Sequence, residues 1–131
     1  MNELAKEILD TVEVGALATV NVDRTPLVTP LHFARLGDSI VWISEPTARH
    51  SENAFRNGKA EFVVWDDKKR AVFLKTNVTE LPESEKEAAM AAYKGKLADF
   101  MPRCQNPQIY VAPIGELDEK TTTGNWLHFI A

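Results

Sequence analysis

Residues 15–44 read GALATVNVDRTPLVTPLHFARLGDSIVWIS, three β-rich runs broken by two short polar turns. ALATVNV and PLVTPLHFAR flank DRT, and SIVWIS follows LGD, so the stretch predicts a meander of three strands. Upstream, Leu4, Ile8, Leu9 and Val12 fall on one helical stripe, with Gly15 as the expected stop. Downstream, EPTARHSENAFRNG predicts a short helix begun by Ser44 or Thr47 and closed near Gly58. AEFVVW and AVFLKTNVTEL then flank the charged turn DDKKR as a second hairpin. Pro82 opens a helix over residues 83–100, where Ser84 and Glu87 have capping-box spacing, and MPRCQNPQ is a loop. IYVAPIGEL and NWLHFIA are closing strands. Six or seven strands, two or three helices and many hairpin-length links imply one α+β domain over residues 1–131, built as a six-stranded antiparallel split β-barrel with flanking helices.

Composition narrows the function classes. With 44% hydrophobic and 26% charged residues, the 131-residue chain is of ordinary globular type. A net charge of −4 argues against nucleic acid as a partner, because phosphate neutralisation needs a basic surface. No apolar run approaches the roughly 20 residues of a membrane helix, and the first ten residues lack the pattern of a signal peptide, so a cytoplasmic location is expected. The single cysteine, Cys104, leaves no internal disulfide and is read as a loop thiol. His32, His50 and His128 lie far apart without metal-ligand spacing, so no metal site is expected. The dinucleotide fingerprint G-x-G-x-x-G, the P-loop and the G-x-S-x-G elbow are all absent from the sequence.

The helix after Thr47 raises a specific question. Arg49 and His50 sit in its first turn, the end that disfavours cations and attracts anions. Arg49, Asn53 and Arg56 share one side by their i, i+4, i+7 spacing, which would leave Ala48, Ser51 and Phe55 to face inward. Pairing of the arginines with Glu52 on a wet surface is one account of them. A bound phosphate is the other, since it would meet guanidinium and backbone N–H donors together.

The stretch 15–44, followed by TARHSENAFRNGKAEFVVWD and AVFLK, resembles the flavin-binding split-barrel family related to pyridoxamine 5′-phosphate oxidase. The likeness runs from about Val14 to Leu74. It implies a homodimer with FMN in the groove between two barrels and a small-molecule substrate. Residue by residue, Arg49 and His50 match the family's phosphate-binding pair. Ile43 and Ser44 match positions touching the flavin ring and ribityl chain. Val28, Thr29, Pro30 and His32 lie on the strand behind the isoalloxazine, which offers backbone N–H and C=O groups to its polar edge. Asn53 matches a structural hydrogen-bonder, and Trp126 is placed to approach the flavin from the partner chain. Trp42 and Trp65 are read as core or interface fillers.

The chain also departs from the oxidase itself. That enzyme has an Arg-x-x-x-x-Lys strand, a glutamine near the start of the fifth strand and a C-terminal Arg-x-His. Here stand LVTPLHF, Ala71 and NWLHFIA, and KTNV replaces the K-G-x-A of many relatives. The resemblance therefore implies an FMN-dependent oxidoreductase acting on something other than pyridoxamine phosphate. Two alternatives keep the fold: a deazaflavin-dependent reductase, whose longer acidic tail could call on Arg24, Arg35 and Arg56, and a non-catalytic flavin-binding or stress-related module. Haem ranks below both, with only scattered histidines as axial ligands.

Overall fold

A computed structural model describes residues 1–131. Helix α1 (Glu3–Thr11) begins where the Asn2 side chain accepts a hydrogen bond from Ala5 N–H at 3.0 Å, satisfying one of the free donors of a helix start. Its apolar stripe buries Ala5, Ile8 and Leu9. The expected stop at Gly15 is not used, because Val12 already turns to extended backbone. Gly15 instead lies inside strand β1 (Val14–Val20), where a Cβ would come within 2.2 Å of the Phe62 ring.

The stretch expected as one strand over PLVTPLHFAR is two: β2 (Pro26–His32) and β3 (Ala34–Leu36). Phe33 and Ala34 are both buried, and adjacent residues of one strand point to opposite faces, so the chain must bend between them. There it leaves one sheet for another. Strand β4 (Ser39–Ser44), helix α2 (Arg49–Asn57) and the hairpin β5 (Lys59–Trp65) to β6 (Ala71–Asn77) follow. In the hairpin turn Asp66 accepts from the N–H groups of Lys68 and Arg70, while Arg70 pairs with Asp66 at 2.6 Å and reaches Glu7 of α1 at 2.9 Å.

After the short strand β7 (Thr79–Glu80), residues 83–85 wind as a 3₁₀ turn and α3 runs over Lys86–Leu97. The Ser84–Glu87 capping box does not form: α3 starts at Lys86 with no side-chain cap. It also ends before residue 100, since Ala98 adopts φ 56°, a conformation that no L-residue carries through a helix. The segment IYVAPIGEL divides into β8 (Gln108–Pro113) and β9 (Glu116–Leu117), and the chain closes with β10 (Trp126–Ile130). Gly115 between β8 and β9 has φ 79°, and a Cβ there would meet Ile130 O at 2.2 Å.

The strands form two sheets, ordered β2-β1-β5-β6-β10-β9 and β3-β4-β8-β7. This is an α+β split barrel in which every pairing is antiparallel except β6 with β10, which run parallel with Trp126 opposite Ala71. Ten strands replace the expected six or seven because runs that look continuous in sequence are cut where they change sheet. Inside the barrel, Leu17, Phe33, Trp42, Phe62, Leu74 and Phe129 pack with α1. A second core sets Tyr93 and Leu97 of α3 against Val41 and Ile43. Lys96 ties the two together: its Nζ donates to Leu9 O at 2.8 Å and stands 3.6 Å over the Phe33 ring, and burial lowers its pKa to about 8. No helix is long and apolar enough to cross a membrane.

The larger sheet has a second, outward face. Pairing register places Val28 beside Ala18, Ala16 beside Val63, and Phe73 between Val63 and His128. Along this face Val28 is 64% exposed, Trp65 57% and Trp126 54%, and the Phe73 ring stacks on His128 at 4.2 Å. The face is largely apolar, with Glu61 set among Ala16, Ala18, Val28, Val63 and Phe73.

Candidate functional site

Strand β2 is the edge of the larger sheet. Pro26 and Pro30 have no N–H to give to a ladder, so they belong at positions whose backbone points away from β1. Phe33 N–H, of the opposite parity, does donate toward β1, to Glu13 O at 3.2 Å. Val28 and His32 share the parity of Pro30, which leaves their N–H and C=O groups on the free edge. Thr29, opposite Leu17, turns its backbone to β1 instead.

Below this edge lies a cavity of about 260 Å³. It gathers Pro30, His32, Ile43, Ser44 and His50, drawn from β2, β4 and the start of α2. Tyr93 of α3 and the loop residues Phe100, Arg103 and Cys104 complete its wall. Phe100 stacks on His32 with 3.8 Å between ring centroids, and the Glu45 carboxylate holds the loop by accepting from Gln105 N–H at 2.8 Å and Asn106 N–H at 3.2 Å. Sequence reasoning missed this contribution, because a loop with two prolines carries no periodicity that says what it covers.

Ser44 Oγ lies 2.9 Å from His50 Nε2. The separation suits a nucleophile and its base, but a triad also needs a carboxylate to orient the imidazole. Glu45, the acid next to Ser44, is occupied by the loop. Burial lowers the His50 pKa below 6.5, so the ring is neutral at pH 7. Because the folded pKa lies below the unfolded one, the stability this neutral ring contributes is complete above pH 6.5 and is lost as pH falls through the folded value. Chemical unfolding at successive pH values is expected to show wild type losing stability between pH 6.5 and 5, and His50→Gln losing less over that interval. Equal losses would contradict the assignment.

Helix α2 is not capped by Ser44 or Thr47. Its N-cap is Ala48, with no side-chain hydrogen bond, and Ser44 ends β4 four residues earlier with its hydroxyl engaged by His50. The C-terminal stop is as expected, with Gly58 in the left-handed region at φ 76°. The faces differ from the sequence expectation. Asn53 points inward and is 3% exposed, donating to Thr19 Oγ1 at 3.2 Å and Asn21 Oδ1 at 2.9 Å, while Phe55 is 44% exposed. Arg56 donates to Val20 O and Asn53 Oδ1, both at 2.9 Å. Neither arginine pairs with Glu52, and Arg49 has no ion pair or side-chain hydrogen bond.

Successive helix residues are about 100° apart, and Arg49 and His50 accordingly enter different cavities. Arg49 lines a wider polar one of about 490 Å³ with Asn21, Asp23, Thr25, Glu52, Asn53 and Arg56. The Thr25 hydroxyl and N–H, helped by the Arg49 charge, hold the Asp23 carboxyl below the usual range. Val28 and Trp126 lie on the outward sheet face, in two further hollows, where Trp126 Nε1 donates to Lys69 O at 3.3 Å.

An edge strand with free backbone groups, a cavity of mixed polar and apolar lining beneath it and an unpaired arginine at an uncapped helix start suit a ligand that has a flat heterocycle and an anionic tail. The chain belongs to the pyridoxamine 5′-phosphate oxidase family, whose model matches residues 1–116. A comparison with curated proteins finds no match. Among solved structures, the chain is similar to an FAD-binding protein from Mesorhizobium loti (21% identity, TM-score 0.68, covering 88% of this chain and 91% of that one). It is similar to an F420 reductase (19% identity, TM-score 0.66, covering 82% and 90%). It is also similar to a haem-binding protein from Mycobacterium smegmatis (21% identity, TM-score 0.72, covering 86% of this chain), of which it spans half the length. At these identities the likeness is one of fold.

Proposed function

We propose that the chain is a flavoprotein, an oxidoreductase that binds flavin through its FMN moiety in a groove shared by two copies of the chain. The observation that carries this reading is the start of α2: an N-cap without a side-chain bond, beside an arginine that makes no direct ion pair or side-chain hydrogen bond. A phosphate there meets backbone donors, the positive end of the helix and a guanidinium fork. The residues of the neighbouring cavity fit the rest. Ile43 and Pro30 give an apolar wall, the β2 edge gives donors and acceptors for a ring edge, and Ser44 and neutral His50 give hydrogen bonds to a hydroxylated chain.

Two features call for a second copy. A cavity of about 260 Å³ is below the roughly 300–1,000 Å³ of a whole ligand site. The outward face bearing Val28, Phe73 and Trp126 is apolar and open. A homodimer that covers this face would bring Trp126 of one chain toward the flavin of the other. When bound, the flavin supplies hydride or single-electron transfer; the chain supplies orientation and exclusion of water. Its substrate is a small molecule other than pyridoxamine phosphate, given the missing Arg-x-His and glutamine. A cytoplasmic location accords with such redox chemistry.

The F420 reductase among the similar folds favours one second reading, a deazaflavin as the coenzyme. A non-catalytic flavin-holding module is distinguished by reactivity. Mixing the flavin-loaded protein anaerobically with reduced nicotinamide, then with a panel of acceptors, is expected to bleach and restore the flavin band. Flavin that binds but neither loses nor regains its colour across the panel overturns the oxidoreductase and leaves the module.

A further inference from the structure

The segment after α3 runs between two hollows. On one side Phe100, Pro102 and Cys104 line the cavity of about 260 Å³ that holds Ser44 and His50. On the other, Met101 and Pro107 line a hollow of about 210 Å³ against Met90 of α3 and Ile109 of β8. Ile43 belongs to both walls, so the two hollows meet at one side chain beneath the segment. Each is below the roughly 300–1,000 Å³ of a whole ligand site, and together they fall inside it. We propose that residues 98–104 form a strap that lifts to join the two hollows into one chamber, and that the chamber takes the substrate, a flat and largely apolar small molecule. The strap is read from this chain alone; calling its occupant the substrate rests on the flavin reading above.

The strap has a strained hinge, a loose span and a fixed far end. Ala98 has φ 56° and ψ −123°, the first central position of a tight turn that closes where Phe100 N–H donates to Leu97 O at 3.1 Å. Glycine occupies that conformation freely and alanine does not, so the closed hinge stores strain. From Met101 to Cys104 no backbone or side-chain group makes a hydrogen bond or ion pair within the chain. Phe100 is 39% exposed and Met101 45%, and the Phe100 ring rests on His32 through its stack. Few internal bonds and shallow burial are the marks of a segment that opens ahead of the fold. Beyond it the Glu45 carboxylate pins the N–H groups of Gln105 and Asn106. The walls name the class of occupant. Ile43, Tyr93, Met90 and Ile109 are apolar or aromatic, and methionine adapts its shape to what it meets. Of the charged residues, Glu45 is taken by the strap's far end and Lys86 by Glu83 at 2.6 Å, which leaves Arg103 free. A flat apolar body with at most one acidic group fits these walls.

Cys104, the single cysteine, lies in the strap and reports its opening through the rate at which iodoacetamide alkylates it, read by mass. The test compares wild type, Phe100→Ala and Ala98→Gly at one pH, each with and without added flavin; neither substitution alters a charge near the thiol. Phe100→Ala removes the stack on His32 and is expected to speed alkylation at least about fivefold. Ala98→Gly relaxes the closed hinge and is expected to slow it about threefold. The opposite sign of the second variant keeps the test decisive even if the first folds poorly. Saturating 2-naphthoate, a flat two-ring probe with one acidic group, is expected to protect Cys104 in flavin-loaded wild type at least about fivefold. Equal rates in all three proteins overturn the strap. Rates that differ as expected, with no protection by 2-naphthoate, overturn the chamber as its binding site. A flavin titration of the same samples separates the two readings: strap kinetics as expected in a protein that binds no flavin overturn the flavin reading and leave the strap.

Discussion

Phe73→Glu is expected to yield a folded monomer that binds flavin at least about 100-fold more weakly than wild type. Phe73 lies at the middle of the outward face of the larger sheet, opposite Val63 on β5 and His128 on β10, with its ring stacked on the His128 imidazole. In a single chain that position is wet enough for a carboxylate, so the barrel itself is not challenged. In a dimer closed over this face the carboxylate would be stripped of water among apolar side chains, with only the His128 imidazole beside it, at a cost of about 3–5 kcal/mol. Each 1.4 kcal/mol is tenfold, so association falls by more than 100-fold, and a groove shared between copies is lost with it. Light scattering gives the mass and a flavin titration gives the affinity. A Phe73→Glu protein that remains dimeric, or a monomer that binds flavin as wild type does, contradicts the shared groove.

Arg49→Ala is the second large effect. The side chain makes no ion pair or hydrogen bond that the fold would miss, so the unfolding midpoint is expected to stay close to wild type. Charge-assisted hydrogen bonds to a phosphate are stronger than neutral ones, contributing about 1.5–3 kcal/mol. Flavin affinity is therefore expected to fall by roughly 10- to 100-fold. Arg49→Lys should recover part of the loss, since an ammonium keeps the charge but not the planar fork. Riboflavin, which lacks the phosphate, should bind wild type and Arg49→Ala alike. Unchanged FMN and FAD affinity in Arg49→Ala would return this residue to an ordinary surface cation.

Much of this architecture is legible along the chain. The stripe Leu4, Ile8, Leu9 marks α1, the alternation in ALATV marks β1, and the turn DDKKR marks the β5–β6 hairpin. The break at Phe33 is not legible: PLVTPLHFAR reads as one strand, and only the burial of both Phe33 and Ala34 shows where the chain passes from one sheet to the other. The parallel pairing of β6 with β10 has no local signature, because it joins segments about fifty residues apart in the chain. The Ser84–Glu87 box failed because the 3₁₀ turn at 83–85 shifts the helix start to Lys86.

At the site, residue identity was easier to read than direction. Pro30, His32, Ile43, Ser44 and His50 do converge on one cavity, whereas Arg49 stands in the next one, as the 100° step between helix neighbours requires. Asn53 was placed on the outer side of α2 by spacing from Arg49. It turns inward because Thr19 near the end of β1 and Asn21 in the turn after it supply the partners that a buried amide needs. The cover formed by Phe100 to Cys104 depends on Glu45 reaching across some sixty residues of chain, which no short window can show.

The central claim is that two copies of this chain hold flavin. Titrating flavin into the purified wild-type protein, with visible absorbance and light scattering read on the same sample, tests it most directly. The expected result is a saturable change in the flavin band at one flavin per chain, on a particle of twice the 14.7 kDa chain mass. A flavin spectrum that the protein leaves unchanged at concentrations well above micromolar, or saturable binding by a monomer, would contradict it.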